Sequence, residues 1–122
     1  MRKTILVVDD EDHMIRLLQF ALRPTGAIFA SAKSGEVALE YLRERSPDLI
    51  ILDYSMPGGN GVETLRQIRE HPDRALLPVI MLTARDQTTI RAEANGLNVA
   101  AFLTKPFSPS DLQRRAREIL GI

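Results

Sequence analysis

Three unbroken apolar runs mark the chain: Thr4-Ile5-Leu6-Val7-Val8, Leu49-Ile50-Ile51-Leu52 and Val79-Ile80-Met81-Leu82. A strand with one wet face alternates apolar and polar positions, so runs without alternation predict parallel strands covered on both faces. Ala27 to Ala32 and Ala101-Phe102-Leu103 are weaker strand candidates. Between the strands, apolar residues recur at helical spacing. Met14, Leu17, Leu18, Ala21 and Leu22 predict one buried stripe, and Leu112, Ala116, Ile119 and Leu120 another. Ser108, Pro109 and Asp111 read as a cap, a first-turn proline and a capping-box acid, and Asn60 with Glu63 as a second start. Pro24, Pro47 and Pro72 punctuate the ends of helical stretches. Five βα units result, with no linker, repeat or low-complexity segment. Right-handed crossovers leave few other ways to bury such strands, so the pattern predicts an α/β fold: a doubly wound, five-stranded parallel sheet with five helices on its two faces.

In an open sheet of this kind, ligands bind beyond the carboxyl ends of the strands, where the strand order reverses. Those ends carry the chemistry of this chain. The first strand runs into Asp9-Asp10-Glu11, the third into Asp53, the fourth into Thr83 and the fifth into Thr104-Lys105-Pro106. The second strand ends Ser31-Ala32-Lys33 with no obvious candidate, which suits an edge if the order is 2-1-3-4-5. Three acids, a hydroxyl and an ammonium then converge on one pocket. Crowded carboxylates repel unless a cation sits among them, and hard oxygen ligands suit Mg²⁺, or Mn²⁺ in its place. Gly58, Gly59 and Gly61 allow the loop after Asp53 to pass close to such a site.

Composition removes other chemistry. The 122 residues, 44% of them hydrophobic, make one domain over residues 1–122. Sixteen basic and sixteen acidic residues cancel, so no global field draws the chain to nucleic acid or an anionic membrane. Absence of cysteine excludes disulfides, thiolate metal sites and a cysteine nucleophile. Met1-Arg2-Lys3 leads into a strand rather than a signal sequence, and no apolar run approaches the ~18 residues of a membrane span. The expectation is a soluble cytoplasmic protein.

Taken together, Asp9-Asp10, Asp53 with Met56-Pro57 and Gly61, Thr83-Ala84 and Lys105-Pro106-Phe107 resemble the receiver domain of two-component response regulators, chemotaxis regulators among them. The resemblance covers the whole chain and implies a flavodoxin-like fold. It implies that Asp53 accepts a phosphoryl group from the phosphohistidine of a sensor histidine kinase or phosphotransfer protein. Asp9 and Asp10 resemble the acids that hold magnesium directly or through water, and the Ser55 carbonyl a further ligand. Thr83 resembles the hydroxyl that bonds the phosphoryl group, Lys105 its cationic partner, and Phe102 the aromatic that turns when that hydroxyl moves. The Lys105-Pro106 bond is cis in the family. Ser55 and Arg85 occupy the positions that tune phosphoryl lifetime. The fourth helix, fifth strand and fifth helix become the read-out surface.

Each residue taken singly also has a structural reading. Asp53 suits a turn, the Asp9-Asp10-Glu11 run complements a helix N-terminus, Thr83 or Asp86 caps the fourth helix, Lys105 is a solvated lysine and Phe102 a core aromatic. Coincidence at four strand ends favours the site. His13 and His71 read as surface residues, and Arg114, Arg115 and Arg117 as a solvated face. An aspartyl-phosphate hydrolase usually carries a second acid two residues after its nucleophile, where this chain has Ser55. A nucleotide-binding domain needs a glycine loop where Asp9 to Asp12 stand. A receiver-like binding module that no longer switches is the remaining alternative, opposed by the complete site. Departures from the pattern lie at Asn98, in place of a turn glycine, and at Ala100 and Ala101, in place of acids used in charge-mediated dimers. The expectation is a monomer or weak dimer, not an enzyme, that binds no nucleic acid or membrane itself. It is either a stand-alone regulator that docks an effector protein or part of a longer regulator.

Overall fold

The unbroken apolar runs form the interior of one sheet. In a computed structural model that describes residues 2–84 and 87–122, β1 (Thr4–Val8), β3 (Leu49–Asp53) and β6 (Val79–Thr83) lie side by side. β2 (Ile28–Ala32) and β7 (Ala101–Thr104) take the two edges. All four pairings are parallel, and the order is β2-β1-β3-β6-β7. The remaining strands, β4 (Ser55–Met56) and β5 (Gly59–Asn60), form a small antiparallel hairpin of their own after Asp53. Without that hairpin the order is the expected 2-1-3-4-5. The weaker strand patterns proved to be the edge strands, which are covered less completely; Ile28 and Ser31 of β2 are exposed.

Every residue of β3 and β6 is buried, because helices cover both sides. One side packs Leu6, Val8, Ile50, Leu52, Met81 and Phe102 under α2 (Gly35–Glu44), α3 (Gly61–Arg69) and α4 (Gln87–Glu93). The other packs Ile5, Val7, Ile51, Ile80, Leu82 and Leu103 under α1 (Asp12–Leu22) and α5 (Pro109–Leu120). Burial of each large aliphatic side chain is worth about 1.5–3 kcal/mol, so this double layer fixes the strand register.

The α1 stripe is rotated from the one the spacing predicts. Ile15, Leu18, Ala21 and Leu22 are buried, whereas Leu17 is 52% exposed and Met14 only half-buried. Position 17 belongs to the same apolar arc on a helical wheel, but α5 and the sheet meet α1 on the side of Ile15. On α5, Leu112, Ala116 and Leu120 are buried and Ile119 half-buried. Capping follows expectation at two helices: Asn60 Oδ1 accepts from Glu63 N at 3.0 Å and Ser108 Oγ from Asp111 N at 3.3 Å. Ser34 caps α2 in the same way, accepting from Val37 N at 3.1 Å. Asn98 adopts a φ of 57°, the left-handed turn anticipated for it. Among the described residues, no helix is long and apolar enough to cross a membrane.

Candidate functional site

The carboxyl ends of β1, β3, β6 and β7 meet, and their polar residues meet with them. Asp53 is the last residue of β3 and pairs in register with Leu82, placing Thr83 one step further along the same rim. Thr83 in turn pairs with Thr104, and Lys105 N donates to the Thr83 carbonyl at 2.8 Å. Asp9 follows β1, its N–H donating to Ala32 O at 3.0 Å and its Oδ1 accepting from Glu11 N at 3.0 Å. The last bond holds the Asp9 carboxylate turned back over the start of α1. The acids do not cap that helix: Glu11 stands at its N-cap without a side-chain bond.

Asp9 and Asp53 are almost fully buried, at 0% and 3% exposure, and Thr83 at 1%. Such acids need a cation, and Lys105 provides one: Nζ lies 2.9 Å from Asp53 Oδ1 and 3.4 Å from Asp9 Oδ2. Burial pushes the Asp53 carboxyl above its ordinary value, and the nearby charge of Asp9 adds to this, against the Lys105 ammonium and the Ser55 N–H that bond its charged form. Burial alone would lower Lys105, but its bonds to Asp53 and the charges of both acids more than reverse that and raise it. The Lys105-Pro106 bond is cis, as in the resembled family.

Asp9, Asp10 and Asp53 each offer an oxygen, and those oxygens all lie within 4.8 Å of one another. Their hard carboxylate donors, two of them held in place by the sheet, fit a divalent cation of the magnesium type, with Asp10 at the more open side. Ser55 lies beside them in the hairpin, paired with Asn60. Two glycines make the tight turn there feasible. Gly58 has a φ of 83°, and a Cβ on Gly61 would stand 2.6 Å from the Asp53 carbonyl. Phe102 is buried in the same apolar cluster as Ile90 of α4 and Ala94 just after it, with the Arg91 guanidinium 4.5 Å above its ring.

All the expected site residues that the structure describes come to this rim or, for Phe102, to its flank; Arg85 lies outside the described residues. Lys33, from the strand end without an obvious role, bonds Asp12 at 2.7 Å beside the site rather than in it. His13 and His71 are exposed. Arg114 and Arg115 pair with Asp111, Arg114 also with Glu118, and Arg117 Nη2 donates to Pro24 O, so the basic cluster is consumed locally. Sequence reasoning missed Tyr54, whose hydroxyl bonds Glu93, and Arg66 and Arg69, which reach backbone carbonyls near the end of α4. Nothing in their spacing distinguishes them from ordinary core or surface positions.

The comparison with known proteins agrees with this geometry. The chemotaxis response regulator CheY4 of Vibrio cholerae is similar with a TM-score of 0.89 and 26% identity, over 98% of this chain and all of that one. The alkaline phosphatase synthesis transcriptional regulatory protein PhoP of Bacillus subtilis is 38% identical over 120 residues, which is 98% of this chain and 49% of that protein. The phosphate regulon transcriptional regulatory protein PhoB of Rhizobium meliloti is 37% identical over 98% of this chain and 53% of its own length. The chain thus spans about half the length of these relatives. Residues 5–117 match the model of the response regulator receiver domain. The chain belongs to that family, the phosphoacceptor signalling domains of two-component systems.

Proposed function

We propose that Asp53 is the phosphoacceptor, with Lys105 and Thr83 binding the incoming phosphoryl group and Asp9, Asp10 and the Ser55 carbonyl holding Mg²⁺, or Mn²⁺, beside it. The observation that carries this reading is the Lys105 ammonium set between two buried carboxylates, 2.9 Å from one and 3.4 Å from the other. A structural ion pair needs one acid; the second leaves an excess of negative charge facing the rim. The bound cation would supply charge neutralisation for the crowded acids and the phosphoryl oxygens.

In the proposed step an Asp53 oxygen attacks phosphorus in line with the donor's N–P bond. An O–P bond forms, the N–P bond breaks, and its electron pair leaves with the imidazole of the donor histidine. Asp53 needs no general base because it reacts as a carboxylate. Lys105 exchanges part of its bonding from the carboxylate to a phosphoryl oxygen, acting as a compact point charge. Its donor is a sensor histidine kinase or phosphotransfer protein. Added negative charge next to Thr83 and Lys105 is read through α4, β7 and α5 by an effector protein or output domain. The chain is a phosphoacceptor, not an enzyme acting on a separate substrate, in a cytoplasmic pathway. Ser55, at the exposed mouth, borders the path of a hydrolysing water and tunes phosphoryl lifetime. Arg85 is assigned a similar role by its sequence position.

Labelling by radioactive acetyl phosphate with Mg²⁺, followed by peptide mapping, tests the assignment. Label that survives hydroxylamine and alkali, or label on a peptide lacking Asp53, would count against it.

A further inference from the structure

Glu93, the last residue of α4, is gripped from two directions. Tyr54 Oη donates to its carboxylate, 2.9 Å from Oε2 and 3.2 Å from Oε1. Arg66 Nη2, from α3, donates to its backbone carbonyl at 2.8 Å. Just beyond it, Arg69 Nε and Nη2 hold the carbonyls of Leu97 and Asn98 at 2.8 and 3.1 Å. The start of α4 is attached elsewhere: Gln87 Nε2 donates to Thr104 Oγ1 at 2.7 Å, while Arg91, in the last turn, lies over Phe102. One end of the helix is therefore tied to Tyr54, just after β3, and to α3, and the other to β7 beside Thr83 and Lys105.

Tyr54 is the residue next to Asp53 and has little freedom. Its N–H donates to Leu82 O and its carbonyl accepts from Gly61 N, both at 2.8 Å, and its ring is buried with Ile90, Ala94 and Phe102. A rigid ring on a fixed main chain transmits small displacements of the Asp53 peptide to its hydroxyl. That hydroxyl bonds an ionised group, and such bonds are roughly twice as strong as neutral ones.

We infer that Tyr54 is a positioning residue that couples Asp53 to α4, its bond to Glu93 being the pivot about which the helix responds to phosphorylation. The inference rests on Asp53 being the acceptor. Coupling is reciprocal: a bond whose strength depends on the state of Asp53 must, when removed, change the affinity of the site for a phosphoryl mimic by the same factor. Tyr54→Phe deletes only the hydroxyl and Glu93→Leu only the carboxylate, leaving the Glu93 main-chain bond to Arg66. Glu93→Gln keeps a neutral acceptor.

The experiment measures the beryllium fluoride concentration that half-saturates the protein at fixed Mg²⁺, from amide NMR shifts. Tyr54→Phe and Glu93→Leu should each move it about threefold to tenfold in the same direction. The double variant should move it no further than the larger single change, and Glu93→Gln should move it less. Unchanged affinity in the single variants, or additive effects in the double variant, would overturn the coupling. A second measurement separates the pivot from the acceptor chemistry. The chain has two tyrosines and no tryptophan, so in Tyr41→Phe protein Tyr54 is the sole emitter. Its emission and the amide exchange of α4 should both respond to Glu93→Leu without any phosphoryl mimic. If they do not, the bond is not made in solution and the inference fails. If wild-type protein neither takes label at Asp53 nor responds to beryllium fluoride, it is the acceptor reading that fails.

Discussion

Lys105 Nζ reaches from the end of β7 to Asp53 Oδ1 at the end of β3, closing a 2.9 Å ion pair across the intervening strand β6. The same ammonium is 3.4 Å from Asp9, so one cation holds two buried acids. Lys105→Met should leave those acids facing each other. Removing one partner of a buried pair is costly; with the rim partly open, a loss of about 1–3 kcal/mol is expected. Urea denaturation in chelator and in millimolar Mg²⁺ checks this, because the cation should restore much of the loss in the variant. Equal stability of variant and wild type in chelator would show that Lys105 does not hold the acids.

Asp53→Asn should abolish labelling by acetyl phosphate and also change the pH dependence of stability. The Asp53 carboxyl is raised in the folded protein, chiefly by burial. A group raised on folding favours the folded state below its unfolded value, near 3.9, and that contribution is lost as pH rises through the folded value. Ionised Asp53 therefore costs stability at neutral pH, and the asparagine variant should be the more stable protein there. The advantage should shrink as pH falls toward about 4. Urea midpoints of both proteins across this range provide the check, and a less stable variant at pH 7 would contradict the sign.

Chelation should suppress phosphorylation, and Asp10→Ala should do the same at ordinary Mg²⁺ while leaving the fold intact. Asp10 is the less buried member of the carboxylate group, so its loss removes a ligand without opening the core. Initial rates of acetyl phosphate labelling against Mg²⁺ concentration should show a rightward shift of about tenfold or more for the variant, since even a group that only orients a metal ligand is worth about 10–100-fold in metal affinity. Undiminished labelling in excess chelator would remove the metal from the mechanism.

Gly61→Ala should destabilise the protein by about 1–3 kcal/mol, the usual cost of forcing a methyl into a packed site. Its Cβ would meet the Asp53 carbonyl at 2.6 Å and Tyr54 Cα at 3.1 Å, backbone atoms that cannot swing aside. Because the strain falls on the Asp53 peptide, labelling should slow as well. Thermal melts and labelling rates together test it, and a wild-type melting temperature would place the Asp53 peptide elsewhere.

Self-association should remain weak. Asp111 is already bonded by Arg114 and Arg115 on its own helix, and Arg91 is stacked on Phe102, so neither is a ready partner for an ion pair with a second copy. Ala101 is buried, and only Ala100 of the two alanines faces solvent. Exposed ion pairs contribute about 0.2–1 kcal/mol each, too little to overcome the loss of these contacts. Sedimentation with beryllium fluoride and Mg²⁺ should give a monomer or weak dimer; a tight activated dimer broken by Arg91→Ala would refute this.

Unbroken apolar runs, helical stripes and polar residues at four strand ends determined the layers, the sheet and which polar residues meet at one rim, because burial on both faces and the strand-end rule act through local pattern. Ser108, Asn60 and Asn98 were legible for the same reason: a cap or a left-handed turn involves residues a few positions apart. Local pattern could not orient α1 correctly, since Ile15 and Leu17 are equally apolar and only the neighbours of the helix choose between them. Nor could it show the hairpin after Asp53, the fit of Gly61 against the Asp53 carbonyl, or the grip of Arg66 and Arg69 on chain 27 to 29 residues away. The Tyr54–Glu93 bond spans 39 residues. Such contacts depend on distances between elements set by packing of the whole core, and a hydroxyl, a carboxylate or a guanidinium carries no mark in the sequence of the partner that packing will bring to it.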